Sequence, residues 1–234
     1  MKYPNLNEEK KLWRKGYKYV VCLDEAGRGA LAGPVVAAGV IINSKFKMQN
    51  LSDSKKLRPK AREKFYKVLT THSGIKWGIG KASEKVIDKI NILEATKLAM
   101  EKAIKNLEKK LQKFLVAKKS DRFFQRQNSG GYHSIDFKSY HSVDFLILDG
   151  NFIINLPIPQ RSIVKADEKV FSCAVASIIA KVTRDRIMER YHKKYPQYGF
   201  DKHKGYPTKL HLKMLKKYGP SKIHRKSFGP VRNL

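Results

Sequence analysis

The segment YVVCLDEAGRGALAGPVVAAGVII, residues 19–42, contains two apolar runs that a glycine-rich turn separates. Residues 19–23 are apolar and rich in β-branched side chains, which is typical of a buried strand. Residues 35–42 repeat this pattern and predict a second strand. Two acids, Asp24 and Glu25, come directly after the first run. The segment therefore predicts two strands, with a pair of carboxylates where the first one ends.

Strand and helix patterns alternate along most of the remaining chain, which indicates an α/β fold. Asn7 is predicted to cap the first helix, and Asn91 a long one, with Glu94 three residues later as in a capping box. Further strands are predicted at 75–82, 143–148 and 160–166, and helices at 8–14, 59–71, 171–191 and 207–217.

The chain divides by composition into a body and a basic tail. Residues 117–142 are polar, lack a period and contain two adjacent glycines, so they predict a long loop. The last 44 residues hold 12 Lys or Arg and a single acid, Asp201. We therefore expect an α/β body over 1–190, with 117–142 as an insertion, and a basic helical part over 191–234.

Charge is the first indication of function. The 234 residues include 50 Lys and Arg against 20 Asp and Glu, a net charge of +30. Such an excess attracts polyanions, so nucleic acid is the expected partner.

An anionic membrane is the second possible partner, and a merely soluble basic surface is the remaining alternative. No apolar run reaches the ~18 residues of a membrane span, and no secretory signal begins the chain, so we expect a cytoplasmic protein without a membrane partner.

Cysteine and histidine offer little chemistry in this sequence. Cys22 and Cys173 lie in apolar surroundings and predict two buried thiols; two cysteines are too few for a disulfide scaffold or a Cys-based zinc site. The seven histidines show no metal-ligand spacing, so most of them are expected on the surface or near phosphates.

Four acids stand out in so basic a chain because each lies at a predicted strand end. They are Asp24, Glu25, Asp149 and Asp167. The carboxyl edge of an α/β sheet is a common position for a site, so these side chains could converge there. Clustered carboxylates supply the oxygen ligands that Mg²⁺ prefers, and two ions ~4 Å apart can cleave a phosphodiester. A basic protein with one acidic pocket is the pattern of a metal-dependent nuclease.

The spacing also allows a plainer interpretation of these acids. Neighbours in a regular strand point to opposite faces, so Asp24 and Glu25 can share a site only if the strand ends or bends there. The glycine at Gly27 makes a bend plausible. Each acid alone is more often a turn or cap residue, and Asp167 could simply cap a helix.

The chain resembles the ribonuclease HII family in several separated motifs that occur in the family's order. These are DEAGRGALAGPVVAAGV at 24–40, DSKKL at 53–57, LDG at 148–150, KADEKVFSCAVASIIAKVTRD at 165–185, YGFDKHKGYPT at 198–208 and HRKSF at 224–228. The resemblance covers nearly the whole chain except 117–142. It departs from the family pattern at Ala30, commonly Pro, and at Ala166, commonly Gly.

The resemblance implies a ribonuclease H-like fold, with a mixed five-stranded sheet flanked by helices and a helical C-terminal part. It implies that Asp24, Glu25, Asp149 and Asp167 bind Mg²⁺ or Mn²⁺. The implied substrates are RNA–DNA hybrids and duplex DNA with embedded ribonucleotides, cut on the 5′ side to leave a 3′-hydroxyl and a 5′-phosphate. We also expect a monomer.

The resemblance further implies which residues contact the substrate. Gly27, Arg28 and Gly29 correspond to the family's sensor of the ribose 2′-hydroxyl, and Tyr206 to a tyrosine that packs on the following sugar. Their plain alternatives are a tight turn and, beside Leu210, a core aromatic. The phosphate contacts implied by the resemblance are Ser54, Lys55 and Lys56, which could otherwise be a solvated turn.

Two other classes of protein share some of these features. A non-catalytic RNA- or DNA-binding protein would also be basic, but it has no use for four converging carboxylates. A junction resolvase could use the acids, but it needs no 2′-hydroxyl sensor such as the one implied at 27–29.

Overall fold

The computed structural model of the protein describes residues 3–43, 58–124 and 143–234. Its centre is one five-stranded sheet in the order β3-β2-β1-β4-β5. The strands are β1 Val20–Ala26, β2 Val35–Ile42, β3 Ile75–Ala82, β4 Phe145–Asp149 and β5 Gln160–Ile163. The first three strands pair antiparallel, whereas β1, β4 and β5 pair in parallel. The mixed five-stranded sheet is therefore confirmed.

Helices cover both faces of the sheet. The described helices are α1 Asn7–Arg14, α2 Pro59–Thr71, α3 Glu84–Phe124, α4 Ala166–Lys169, α5 Phe171–Lys194, α6 Phe200–His203, α7 Lys209–Tyr218 and α8 Gly229–Arg232, with a 3₁₀ turn at Pro196–Tyr198. Helix α3 packs on β2 and β3, and α5 packs on β1 and β2 from the other side. β2 is buried along its whole length, so a hydrophobic core lies on each face of the sheet.

Most predicted elements are confirmed, and the bounds of β2, α2 and β3 agree with the sequence pattern. Two predictions at helix and strand ends are wrong. Asn7 is the first helical residue and not the cap, and its N–H donates to Asn5 Oδ1 at 2.9 Å. The predicted strand 160–166 ends at Ile163, because Lys165 adopts a left-handed conformation with φ 57° and turns the chain into α4.

The cap at Asn91 is confirmed. Helix α3 is interrupted there by a non-helical residue with φ 65° and ψ 170°. The Asn91 Oδ1 accepts hydrogen bonds from the N–H groups of Leu93 at 2.9 Å and Glu94 at 3.1 Å. The Glu94 carboxylate pairs with Lys97 at 2.9 Å.

The predicted loop at 117–142 starts too early, since α3 continues to Phe124. The rest of that segment lies outside the described residues. The long helix α5 runs through the expected domain boundary at 190 to end at Lys194. Both cysteines are buried free thiols, as predicted. Among the described residues, no helix combines the length and apolarity that crossing a membrane requires.

Candidate active site

Two of the predicted acids lie side by side where β1 and β4 meet. The last parallel pair between these strands is Leu23 with Leu148, so Asp24 and Asp149 follow at the same level of the sheet. Side chains alternate along a strand, and both acids therefore point to the face on which Cys22 packs against α5. The Asp149 Oδ1 accepts a hydrogen bond from the backbone N–H of residue 166 at 2.8 Å.

Asp167 reaches the same face from α4. It is the second residue of that helix, whose N-cap is Lys165, so the interpretation of Asp167 as a cap is wrong. Its side chain is fully buried at 0% exposure. One carboxylate oxygen from each of Asp24, Asp149 and Asp167 lies within 4.8 Å of the other two. Strand ends and one left-handed residue thus bring together three acids that are far apart in sequence.

This group of carboxylates is electrostatically unfavourable without a cation. Burial is the largest cause that raises the pKa of Asp24 well above its ordinary value. The charges of the neighbouring carboxylates add to the rise, while a hydrogen bond with Ser177 opposes it. Three converging oxygen donors are the ligand set of a hard divalent cation, whose charge would offset the repulsion. The side chains therefore fit such an ion.

Glu25 lies beside this group and not within it. β1 stays paired with β2 as far as Ala26, so the side chain of Glu25 starts from the other face of the sheet than that of Asp24. At this end of β1 it is still close enough for its charge to raise the pKa of Asp24. Its Oε1 lies 3.4 Å from Arg28 Nη1, and its buried Oε2 has no hydrogen-bond partner among the described residues. Burial raises the pKa of Glu25 to about 7; Arg28 opposes the rise and the charge of Asp149 adds to it.

The turn at 27–29 follows directly and combines one crowded glycine with one open glycine. Gly27 has φ +98°, and a Cβ there would lie 2.0 Å from Arg184 Nε. A Cβ added at Gly29 would meet no atom of the described residues within 4 Å, so Gly29 borders open space. The Arg28 side chain is partly exposed and lies 5.5 Å from the centre of the Phe152 ring.

Two buried arginines hold this turn and the residues after it, and sequence reasoning missed both. Arg184 and Arg225 are each 0% exposed. Arg225 donates to the carbonyls of Gly27 at 2.7 Å, Arg28 at 2.9 Å and Gly33 at 3.0 Å. Arg184 donates to the carbonyls of Pro34 at 3.0 Å, Ala32 at 3.1 Å and Lys204 at 2.9 Å. Both arginines occur in the family-like motifs, which was the available signal.

Tyr206 lies among cations and outside the apolar core. Its ring is partly exposed, with Lys181 Nζ 5.4 Å and Arg184 Cζ 5.1 Å from the ring centre. Leu210 is itself 38% exposed and provides no core for it. The interpretation of Tyr206 as a core aromatic beside Leu210 is therefore wrong.

Two further sequence predictions have different outcomes. Ser54, Lys55 and Lys56 lie outside the described residues, so their phosphate contacts stay a prediction. Most histidines were expected on the surface or near phosphates, but three of the seven, His203, His211 and His224, are buried. Their isolated positions among lysines gave no sign of this.

Comparison with known proteins identifies the family. The family model described as ribonuclease HII matches residues 21–231. The ribonuclease HII of Acholeplasma laidlawii is 43% identical over 234 residues, which is 100% of this chain and 98% of that protein. That of Caldicellulosiruptor bescii is 43% identical over 220 residues, which is 94% of this chain and 91% of that protein.

The fold agrees with this similarity. The crystal structure of ribonuclease H2 from Pyrococcus horikoshii has a TM-score of 0.60 to this chain at 26% identity. The match covers 92% of this chain and 95% of that one. The match to the family model, the identity over the full length and the shared fold agree, and this chain belongs to the ribonuclease HII family.

Proposed function

We propose that this chain cuts duplex DNA on the 5′ side of single embedded ribonucleotides and leaves 3′-hydroxyl and 5′-phosphate ends. Membership of the family makes the chain a metal-dependent ribonuclease H, which hydrolyses RNA in RNA–DNA hybrids. The observation that carries the finer proposal is the convergence of Asp24, Asp149 and Asp167, with Asp24 three residues before the turn at 27–29.

Asp24, Glu25, Asp149 and Asp167 would hold Mg²⁺ or Mn²⁺. The convergence of three carboxylate oxygens within 4.8 Å supports this, and so does the buried Glu25 Oε2 without a hydrogen-bond partner in the described part of the chain. A bound cation of this kind supplies positive charge at the scissile phosphate and lowers the pKa of a water.

The protein's own contribution is to fix these ligands before substrate arrives. The backbone N–H of Ala166 orients Asp149 through its bond to Oδ1, and the N–H of Glu25 orients Asp24 at 2.7 Å. Arg28 holds one oxygen of Glu25 and so fixes the direction of the other. Ligands fixed in this way need little reorganisation in the transition state.

Recognition of the ribose would come from the turn at 27–29. Its carbonyls are fixed by Arg225, and the open space at Gly29 gives a sugar room to approach the backbone. A 2′-hydroxyl both donates and accepts hydrogen bonds, so backbone polar groups that a sugar can approach closely can tell ribose from deoxyribose. Tyr206 would pack on the next sugar, where its partly exposed ring is available to a ligand.

The basic C-terminal part would bind the phosphates of the duplex. Helix α7 is capped by Thr208, is basic along its length and carries Lys216 and Lys217 in its last turn. Lys213 and Lys216 are exposed. Lysines on one helix supply sequence-independent charge that keeps a duplex near the carboxylates.

The test is cleavage of a DNA duplex that contains one ribonucleotide, with and without Mg²⁺, followed by analysis of the product ends. We expect one cut, 5′ of the ribonucleotide, that needs the cation and leaves a 3′-hydroxyl. An all-DNA duplex and an all-DNA four-way junction are the controls. Cleavage of the junction would favour a resolvase, and a cut at any other position would contradict the proposed site of hydrolysis.

A further inference from the structure

Three buried histidines pack against the segment that carries Tyr206. His203, His211 and His224 are 8%, 0% and 2% exposed. The His203 ring stacks on His211 with centroids 4.3 Å apart, and the edge of Phe200 closes the group. Such a cluster is unusual for a core, because a charged imidazole would be strongly penalised there.

The hydrogen bonds of this cluster allow only one arrangement of protons. The backbone N–H of Ser221 donates to His224 Nδ1 at 2.9 Å, so the neutral His224 ring carries its proton on Nε2. His224 Nε2 lies 3.1 Å from His211 Nε2, which must then accept. His211 therefore carries its proton on Nδ1, which lies 3.0 Å from the carbonyl oxygen of Tyr206. A carbonyl can only accept, so the chain of donors ends there.

The neutral state of both rings agrees with their surroundings. Burial is the main cause that lowers the pKa of His211 and of His224 to about 4 each. Proton uptake by either ring would set two N–H groups against each other, or an N–H against the Ser221 donor, and so break a bond just described. At neutral pH the chain from Ser221 to Tyr206 is therefore intact.

The carbonyl of Tyr206 is fixed from two sides by this arrangement. It also accepts the backbone N–H of Thr208 at 2.8 Å, across Pro207. Thr208 caps α7 by accepting the N–H of His211 at 3.2 Å. His211 thus ties the start of α7 to the backbone of Tyr206 through both its main chain and its ring.

We propose that His211 is a positioning residue for Tyr206, and that His224 acts by fixing the tautomer of His211. The imidazole bond sets where the Tyr206 ring lies relative to the sugar that follows the ribonucleotide. It therefore sets the preference for a single embedded ribonucleotide over a continuous RNA strand. This inference rests on the proposed contact between Tyr206 and that sugar.

The matched test uses two amides at position 211. The side-chain nitrogen of His211→Asn lies near the former Nδ1 and can still donate to the Tyr206 carbonyl. The amide of His211→Gln reaches the former Nε2 and can bond to His224, but it leaves the Tyr206 carbonyl without its second donor. Each variant loses one of the two ring bonds, so both should lose similar thermal stability.

The readout is the ratio of cleavage rates on a single-ribonucleotide duplex and on a continuous hybrid, at one metal and salt concentration. A displacement of ~1 Å can lower a rate ~100-fold, so we expect the ratio to fall about tenfold in His211→Gln. His211→Asn should keep the wild-type ratio. A purely structural role would lower both rates together and leave the ratio unchanged in both variants, which would overturn the proposal.

Tyr206→Ala separates this inference from the role of Tyr206 itself. If its ratio is unchanged, Tyr206 does not contact the junction sugar, and the proposed positioning is overturned with it. If Tyr206→Ala lowers the ratio and His211→Gln does not, the tyrosine has its role but the histidine does not position it.

A measurement on the wild-type protein tests the proton arrangement should the variants fail to fold. Two-bond ¹H–¹⁵N correlation spectra at neutral pH distinguish the two imidazole tautomers. We expect His211 as the Nδ1–H tautomer and His224 as the Nε2–H tautomer. Any other pair of tautomers, or a protonated ring, would contradict the donor chain and with it the proposal.

Discussion

Replacing Gly27 with alanine tests whether the turn after Asp24 and Glu25 depends on the close packing of Gly27 against the buried guanidinium of Arg184. Gly27 has φ +98°, a conformation that L side chains rarely adopt. The new Cβ would lie 2.0 Å from Arg184 Nε and 2.6 Å from Arg184 Cδ. Because the arginine is fully buried and bonded to three carbonyls, it has no open space into which to move.

The expected loss of stability has two parts. A non-glycine residue in this region of φ and ψ carries about 1–3 kcal/mol of backbone strain. Displacement of Arg184 Nε breaks at least its 3.0 Å bond to the Pro34 carbonyl, and the loss of a bond to a charged group costs about 1.5–3 kcal/mol. The sum is about 2.5–6 kcal/mol, which lowers the Tm of a chain of this size by roughly 5–24 °C.

Thermal unfolding of Gly27→Ala beside Gly29→Ala measures this effect with a matched control. Gly29 lacks a positive φ and has no atom within 4 Å of the added Cβ, so its variant should unfold within about 1 °C of wild type. Gly29→Ala should still cleave every ribonucleotide substrate more slowly, because the methyl group faces the proposed sugar. Equal Tm values for the two variants would refute the close packing of Arg184 against Gly27.

Three further measurements test other parts of the structure. Asp149→Asn keeps an oxygen for the N–H of Ala166 and should fold and bind hybrid, but lose cleavage by about 100-fold or more; near-normal turnover would remove Asp149 from the metal ligands. The unfolded chain takes up protons on His211 and His224 below pH ~6.5, whereas the folded chain does so only near pH 4. The stability that these two groups contribute is therefore present above pH ~6.5 and is lost as the pH falls, by up to roughly 4 kcal/mol at pH 5. Urea unfolding at several pH values measures this loss. If the free energy of unfolding depends on pH no more steeply than in a His211→Asn, His224→Asn double variant, the expectation is contradicted. Affinity for hybrid should fall with salt, and Lys213→Gln should flatten the log–log slope by about one; an unchanged slope means that α7 does not contact phosphate.

The elements that the sequence predicts best are those whose pattern is local. β2 is apolar at every position and α2 begins with Pro59, so both have clear bounds in sequence alone. The approach of Asp24 and Asp149 could also be anticipated, since acids at the carboxyl ends of parallel strands share an edge of the sheet.

The side chains that hold the turn could not be predicted because their partners leave no pattern in the sequence. A buried arginine usually indicates a carboxylate partner, but Arg184 and Arg225 donate to backbone carbonyls, which every residue has. Among the 50 Lys and Arg of this chain, these two arginines cannot be distinguished by sequence from the exposed ones. The same reasoning failed for His211, whose partners are a ring 13 residues away and a carbonyl.

The separation of Glu25 from the other three carboxylates was open for a different reason. The presence of Gly27 could not decide whether β1 ended at Asp24 or continued. Pairing with β2 continues to Ala26, and this tertiary contact decides on which face Glu25 lies. The residue at which β1 ends thus determines how the Glu25 carboxylate lies relative to the other three.

The parallel pairing of β1 with β4 also determines when during folding this protein can become a nuclease. β1, β2 and β3 form an antiparallel meander from neighbouring segments, and its loops close early. Asp24 meets Asp149 only after a crossover of more than 100 residues brings β4 alongside β1. A chain still emerging from the ribosome can thus complete the meander and carry Asp24 without its partners. The proposed metal ligands of this protein therefore come together only once the pairing of β1 with β4 has formed.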